Sequence, residues 1–288
     1  MSPLPAGDPA RAALGARLRA AGCVYAEDEA SLLLDAADGD VVLLESLVSR
    51  RVGGEPLEQV VGWAEFCGLR LAVAPGVFVP RARTALVARL AVEAVRGDVA
   101  APVGPRAPEG AQARARPVRA LDLCCGAGAV GAAVLRESPG QQVELWATDV
   151  DPVACDCARQ NLPGAHVVCG DLFQALPGWL RGRFHVIAAN APYVPSDAVA
   201  TMPREARDHE RLATLDGGAD GLDMHRRIAA EAPRWLAPGG RLVVETSRRQ
   251  AATSREIMAE AGLRTSVEID DELDATAIVG VRPGARIS

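Results

Sequence analysis

Apolar positions recur with a helical period over residues 1–62. Asp8-Pro9 reads as an N-cap followed by proline at the first helical position, which predicts a helix to about Gly22. Two further amphipathic stretches, Ala26 to Ala37 and Val41 to Arg51, are broken by Gly39 and by Gly53-Gly54. Glu55 to Val61 adds a short helical turn. Leu69 to Val73 and Val77 to Val79, separated by Ala74-Pro75-Gly76, then read as a hairpin, and Thr84 to Val95 as a helix. Residues 96–118 carry Pro102, Pro105, Pro108 and Pro117 among Gly, Ala and Arg, a composition that predicts a mobile linker or surface insertion.

From residue 119 the rhythm becomes strand, helix, strand, helix, as in a wound parallel sheet of the α/β class. Strands are predicted near 119–124, 143–148, 165–169, 184–189 and 241–246. Helices are predicted near 129–137, 152–161, 172–180, 223–236 and 248–261. The last two apolar stretches, Arg264 to Ile269 and Ala275 to Val281, are separated by a gap too short for a helical crossover. They should therefore pair antiparallel.

At 288 residues the chain is long enough for two domains with a sizeable core. No apolar run approaches the roughly 18 residues that span a bilayer, and the first residues carry Arg11, Arg17 and Arg19 without an apolar signal core. A cytoplasmic location is the expectation. A formal net charge of −6 argues against direct binding to nucleic acid, which needs concentrated positive charge. All 31 basic residues are Arg, so Lys-nucleophile and Schiff-base chemistry is excluded. The seven cysteines include no C-x-x-C pair and the four histidines stand far apart, so no metal is expected. Reduced, mostly buried thiols are the simpler reading.

The first strand of the sheet runs into Asp122-Leu123-Cys124-Cys125-Gly126-Ala127-Gly128-Ala129-Val130-Gly131. Gly126, Gly128 and Gly131 match G-x-G-x-x-G, a turn that lets the backbone approach a ligand and opens onto a helix N-terminus. The second strand ends at Asp149, 23 positions after Gly126 (149 − 126), where a carboxylate can accept from both ribose hydroxyls. Asp151-Pro152 reads as the N-cap and first residue of the next helix. The third strand ends at Gly170-Asp171-Leu172, where Asp171 either accepts from an adenine amine or caps the helix at 172–180. These features point to a nucleoside-bearing ligand and leave a dehydrogenase and a methyltransferase equally open.

The fourth strand ends at Asn190-Ala191-Pro192-Tyr193. The Asn side-chain oxygen and the Ala191 carbonyl can accept hydrogen bonds from one –NH2, while the Tyr ring lies against its planar group. Pro192 biases Ala191 toward an extended backbone that holds this carbonyl outward.

With these residues in place the chain resembles the class I S-adenosylmethionine-dependent methyltransferases, and among them the release-factor glutamine N5-methyltransferases, as a divergent paralogue. The resemblance covers nearly the whole chain outside 96–118. It includes Glu55 to Gly62, Val79-Pro80-Arg81, the Asp122 to Gly128 loop, Ala147 to Asp149, Gly170-Asp171, Asn190 to Tyr193 and Asp216 to Leu222. It implies a Rossmann-like seven-stranded methyltransferase sheet with an antiparallel C-terminal hairpin and a small helical N-terminal domain. The divisions expected are a substrate-recognition domain at 1–66, a hairpin, helix and linker at 67–118, and the S-adenosylmethionine-binding domain at 119–288. S-adenosyl-L-methionine is the implied cofactor, held by Asp122, Cys124, Gly126, Gly128, Asp149, Asp171, Leu172 and Asn190. Asn190, Ala191, Pro192 and Tyr193 are the implied catalytic residues. The partner would be a release factor or another glutamine-bearing protein.

Three departures stand out. Ala191 replaces the first of two prolines. Ala82, Arg83, Thr84 and Ala85 follow Pro80-Arg81 where the family has proline and acidic residues, reversing the local charge. Glu210-Arg211 replaces Glu-Pro. The same clamp would also suit an N6-adenine methyltransferase on DNA or RNA, and the departures would suit a cofactor-binding paralogue without catalysis. The long, charged 194–222 segment reads either as a substrate lid or as a solvated loop.

Overall fold

The computed structural model describes residues 9–100, 117–202, 204–211 and 214–284; the Asp8 cap and most of the expected linker lie outside them. Helices α1 (Pro9–Ala20), α2 (Ala26–Ala37), α3 (Val41–Val52) and α4 (Leu57–Val61) close on an apolar core of Leu14, Leu18, Ala30, Leu33, Leu47, Val48 and Val60. Asp40 caps α3, accepting from the Val42 and Leu43 N–H groups at 2.9 and 3.0 Å. Inside this small bundle the Arg51 guanidinium reaches the buried Glu29 carboxylate at 2.6 Å.

The hairpin is displaced from its expected place. β1 (Trp63–Phe66) pairs with β2 (Leu69–Ala72), Phe66 opposite Leu69. Its turn is Cys67-Gly68, both at positive φ (49° and 68°), the geometry that matches strand twist in a two-residue loop. Val77 and Val79 are buried but form no strand. There the Gln59 side chain takes the place of a neighbouring strand, donating to the Val77 carbonyl at 2.9 Å and accepting from the Gly76 N–H at 3.1 Å.

A short 3-10 turn (Ala82–Thr84) leads into α5 (Ala85–Ala100), so residues 96–100 are helical rather than linker. The sheet then follows: β3 (Val118–Leu123), α6 (Ala129–Glu137), β4 (Val143–Asp149), α7 (Pro152–Asn161), β5 (His166–Cys169), β6 (Phe184–Ala189), α8 (Ser196–Val199), α9 (Arg204–His209), α10 (Asp223–Trp235), β7 (Leu236–Thr246), α11 (Ala251–Glu260), β8 (Arg264–Asp270) and β9 (Ala275–Val281). The seven strands lie in the order β5-β4-β3-β6-β7-β9-β8, parallel except for β9, which runs antiparallel to both its neighbours. The protein is thus of the α/β class, as the strand–helix rhythm and the short final gap require.

Alternation along the strands builds a core on each face. Ala120, Ala147, Val186 and Val243 pack under α5 and α6, while Leu121, Trp146, Ile187 and Val244 pack under α10 and α11. The helix expected at 172–180 does not form. Leu172 sits at φ 48°, which a helix cannot continue from, and Pro177 follows; only a 3-10 turn, Gly178–Leu180, remains. Asp171 is therefore not an N-cap. Among the described residues, no helix is long and apolar enough to cross a membrane and no cluster of His, Cys, Asp or Glu is arranged to hold a metal.

Candidate active site

The carboxyl ends of β3, β4, β5 and β6 open into a cavity of about 390 Å³, a size suited to a cofactor-scale ligand. The fold places ligands at this edge because the strand ends there leave backbone groups free and helices begin. Asp122, Cys124, Gly126, Asp149, Asp171, Leu172, Asn190, Ala191, Pro192 and Tyr193 all line it. Gly128 does not. It packs behind the turn at φ 80°, where a Cβ would lie 2.8 Å from Leu162 Cδ1. Its role is to let α6 approach α7.

Two carboxylates organise the turn. Asp122 is buried and accepts from the Gly131 N–H at 2.8 Å, tying the start of α6 to the end of β3. Burial pushes its pKa up to about 7 against that hydrogen bond. Asp149 accepts from the Gly126 N–H and the Asp151 N–H, both at 2.9 Å, which fixes its carboxylate in the cavity wall. Each oxygen keeps a lone pair for a diol. Asp151 caps α7 through the Val153 N–H at 3.0 Å, as its Asp-Pro sequence indicates. Asp171 is engaged from outside, by Arg227 at 2.6 Å and Gln174 at 3.2 Å. Phe173 belongs to the core, stacked on Trp235, while Leu172 faces the cavity.

The tetrapeptide is held from three directions. The Asn190 amide nitrogen donates to the Thr84 hydroxyl at 3.0 Å, an orientation in which Oδ1 remains an acceptor. The Tyr193 hydroxyl donates to the buried Glu245 at 3.0 Å, and the same Oε1 accepts from Arg83 at 3.2 Å. Burial and this carboxylate raise the Tyr193 pKa, so the phenol stays neutral. The Tyr193 carbonyl accepts from Gln250 Nε2 at 2.8 Å, and the same nitrogen donates to the Asp220 carbonyl at 3.0 Å.

The glycine turn Asp216 to Leu222 presses on the same backbone. A Cβ at Gly221 would lie 2.3 Å from the Tyr193 carbonyl oxygen, and one at Gly217 would lie 2.8 Å from that of Pro192. Thr84, Glu245, Gln250 and these glycines escaped the sequence reading as site residues. The acid ending the apolar run Leu242-Val243-Val244 and the glycine-rich turn were the signals available.

The charged departures are compensated. Arg83 pairs with Glu245, Arg81 with buried Glu210 at 2.5 Å, and Arg211 with Asp151 at 3.0 Å. The local charge reversal expected from Arg83 is thereby cancelled by a carboxylate from β7. Segment 194–222 is tied down at Glu205, Glu210 and Arg211 rather than freely solvated, with Glu205 2.7 Å from Arg51 of α3.

Known proteins resemble this chain in sequence. A methyltransferase-domain family model matches residues 120–211. The release factor glutamine methyltransferase of Geobacter sulfurreducens is 34% identical over 249 residues, covering 85% of this chain and 79% of that protein. The chain belongs to the release factor glutamine methyltransferase family. Its Streptomyces coelicolor member is 36% identical over 217 residues, covering 74% of this chain and 70% of its own. The solved protein-(glutamine-N5) methyltransferase (release factor-specific) of Alicyclobacillus acidocaldarius is 22% identical, covers 71% of this chain and 94% of its own, and superposes with a TM-score of 0.40. This chain reads Asn190-Ala191-Pro192-Tyr193 at the end of β6, and its Arg83 and Arg211 are each paired with a carboxylate.

Proposed function

We propose that the protein transfers a methyl group from S-adenosyl-L-methionine to the side-chain nitrogen of a glutamine in a protein substrate, a release factor being the first candidate. The observation that carries this reading is the Asn190 amide, whose nitrogen is occupied by Thr84 and whose oxygen is left to the cavity beside the Tyr193 ring.

The residues present fit the cofactor. Asp149, braced by two backbone N–H groups, offers acceptors for a ribose diol, and Leu172 offers an apolar surface for a base. Asp171 retains lone pairs for an amine alongside Arg227. When bound, S-adenosyl-L-methionine supplies an electrophilic methyl carbon on a positively charged sulfur.

The protein's own task is to hold and polarise a weak nucleophile. A carboxamide nitrogen is poorly nucleophilic because its lone pair is delocalised into the carbonyl. Asn190 Oδ1 and the Ala191 carbonyl would each accept one of its N–H groups and stabilise the positive charge arriving on nitrogen. Thr84 anchors the Asn190 side chain, and Glu245 fixes the ring of Tyr193. Orientation of this kind supplies much of the rate gain for a bimolecular transfer. No strong base is required, since the methylated nitrogen becomes acidic once positively charged.

Cys124 lines the same cavity, and a thiolate there would compete for the methyl group. Burial, together with Asp149, Asp122 and Asp171, raises its pKa and keeps the thiol protonated.

Asn190→Ala should reduce transfer of labelled methyl to a glutamine-bearing release factor by about 100-fold or more, with cofactor affinity by calorimetry unchanged within a few-fold. Turnover like the wild type would refute the clamp. Label appearing in nucleic acid rather than protein would favour an N6-adenine methyltransferase, and label in neither a non-catalytic paralogue.

A further inference from the structure

The opposite edge of the sheet, where the parallel strands begin, carries positive charge that the protein does not neutralise. Arg119 is the second residue of β3, Arg181 and Arg183 precede β6, Arg234 lies in the last turn of α10, and Arg282 follows β9. The chain draws them together: the Gly182 N–H donates to the Arg234 carbonyl at 2.9 Å, and the Arg183 N–H to the Trp235 carbonyl at 3.0 Å. The Arg282 guanidinium reaches the Leu236 carbonyl. Among the described residues, Arg181, Arg183, Arg234 and Arg282 have no ion-pair partner. Arg119 alone is paired, with Glu144 at 2.9 Å.

This edge is also aromatic. Trp179 is 51% exposed, and the guanidiniums of Arg119 and Arg183 each lie 5.6 Å from its ring centroid. Behind it, Trp146 meets Trp179 edge-on at 6.0 Å and stacks on His166 at 4.3 Å. A second cavity of about 530 Å³ opens beside this cluster, lined by Pro117, Arg119, Gly182, Arg183, His185 and Ala237.

We propose that this edge docks a single-stranded nucleic acid, with phosphates on the unpaired guanidiniums and a base stacked at Trp179. The unpaired Arg183 at the exposed indole, with Arg181, Arg234 and Arg282 along the same edge, combines the two elements such a strand needs, a positively charged track and a flat stacking surface. An acidic protein segment would use the charges but would have no use for the indole face. The chain's overall acidity does not oppose this docking. The Glu144 carboxylate at this edge is taken by Arg119 and the Trp146 indole N–H, and a local field acts over about a Debye length of roughly 10 Å at moderate salt. The surface is remote from the methyl-transfer cleft, so strand binding and catalysis are separable.

The test is fluorescence anisotropy of the full-length protein with labelled oligouridine and oligothymidine of about 12 nucleotides, at low and at physiological salt. Binding should weaken with salt. The double variant Arg181→Ala/Arg183→Ala should bind at least about tenfold more weakly at low salt and flatten the log–log salt slope by about 1.4, near 0.7 for each lost phosphate contact. Trp179→Ala should weaken binding by about fivefold or more, and added oligonucleotide should quench wild-type tryptophan fluorescence. Arg255→Ala on α11, also exposed, should change nothing. The tighter of the two strands identifies the source. Should the Trp179 variant be unstable, Arg183→Glu, which alters only an exposed side chain, gives the same readout. No salt-dependent binding would overturn the proposal. So would polyglutamate binding as tightly as the oligonucleotides with no effect of Trp179→Ala.

Discussion

The two edges of one sheet treat the same residue type in opposite ways. At the carboxyl edge Arg81, Arg83, Arg211 and Arg227 each meet a carboxylate, in turn Glu210, Glu245, Asp151 and Asp171. At the amino edge Arg181, Arg183, Arg234 and Arg282 meet none among the described residues. The difference follows from what each edge must do. On the proposed reading, a cleft that would grip an uncharged amide beside a cationic cofactor is better served by balanced charge, since a free guanidinium would repel the sulfonium and the charge arriving on nitrogen. An edge that meets a polyanion needs its charges free.

The sharpest way to break the balanced side is Glu245→Ala. It removes the acceptor of both Tyr193 and Arg83, and kcat/KM should fall by between about tenfold and 100-fold, with a lowered thermal midpoint. Full activity would mean that the buried carboxylate does not steady the ring. Thr84→Val should act more mildly, lowering kcat by about tenfold by releasing the Asn190 amide. Thr84→Ser should restore most of it, whereas a purely steric role would leave the Ser variant as impaired as the Val variant.

A third effect is read as stability against pH. The native pKa of Asp122 is pushed to about 7, well above the roughly 3.9 of an unfolded Asp. The native state therefore takes up a proton that the unfolded state has lost over about pH 4 to 7. This contribution favours the fold at the acid end and is lost as pH rises through 7. His225, buried and lowered to about 4, works in the opposite sense, costing stability as pH falls from about 6.5 toward 4. The comparison is thus made between proteins, by urea unfolding at pH 5 and pH 8. Asp122→Asn should be less sensitive than the wild type to the rise in pH, and equal pH dependences would refute the assignment. The smallest expected effect completes the contrast between the edges. Arg183→Glu should leave methyl transfer within about twofold of the wild type, because the residue touches nothing in the cleft.

Much of this was legible in the chain because the signals were local. Strand alternation, Asp151-Pro152 and the short gap between β8 and β9 each act over a few residues, and each produced the expected element. The misplaced hairpin shows where local reading fails. Ala74-Pro75-Gly76 has turn chemistry, yet the strand-like Val77 to Val79 is satisfied by a side chain from α4, a contact across 18 positions that no local pattern displays. The absent helix after Asp171 failed for a different reason, because Leu172 adopts a left-handed backbone that its residue type does not advertise. The candidate site behaved alike. Its cavity-lining residues follow from strand ends, whereas Thr84, Glu245 and Gln250 arrive from elements 106, 52 and 57 positions away from their partners.

Arg51 carries a consequence of its own. Its guanidinium is almost fully enclosed and answers at once to Glu29 of α2 and to Glu205 of α9, the short helix just before the cavity-lining Glu210 and Arg211. Peeling that stretch away would leave the arginine half matched in a dry setting, a penalty that favours the latch staying fastened. The amino-terminal helices and α9 are thus joined through one shared cation.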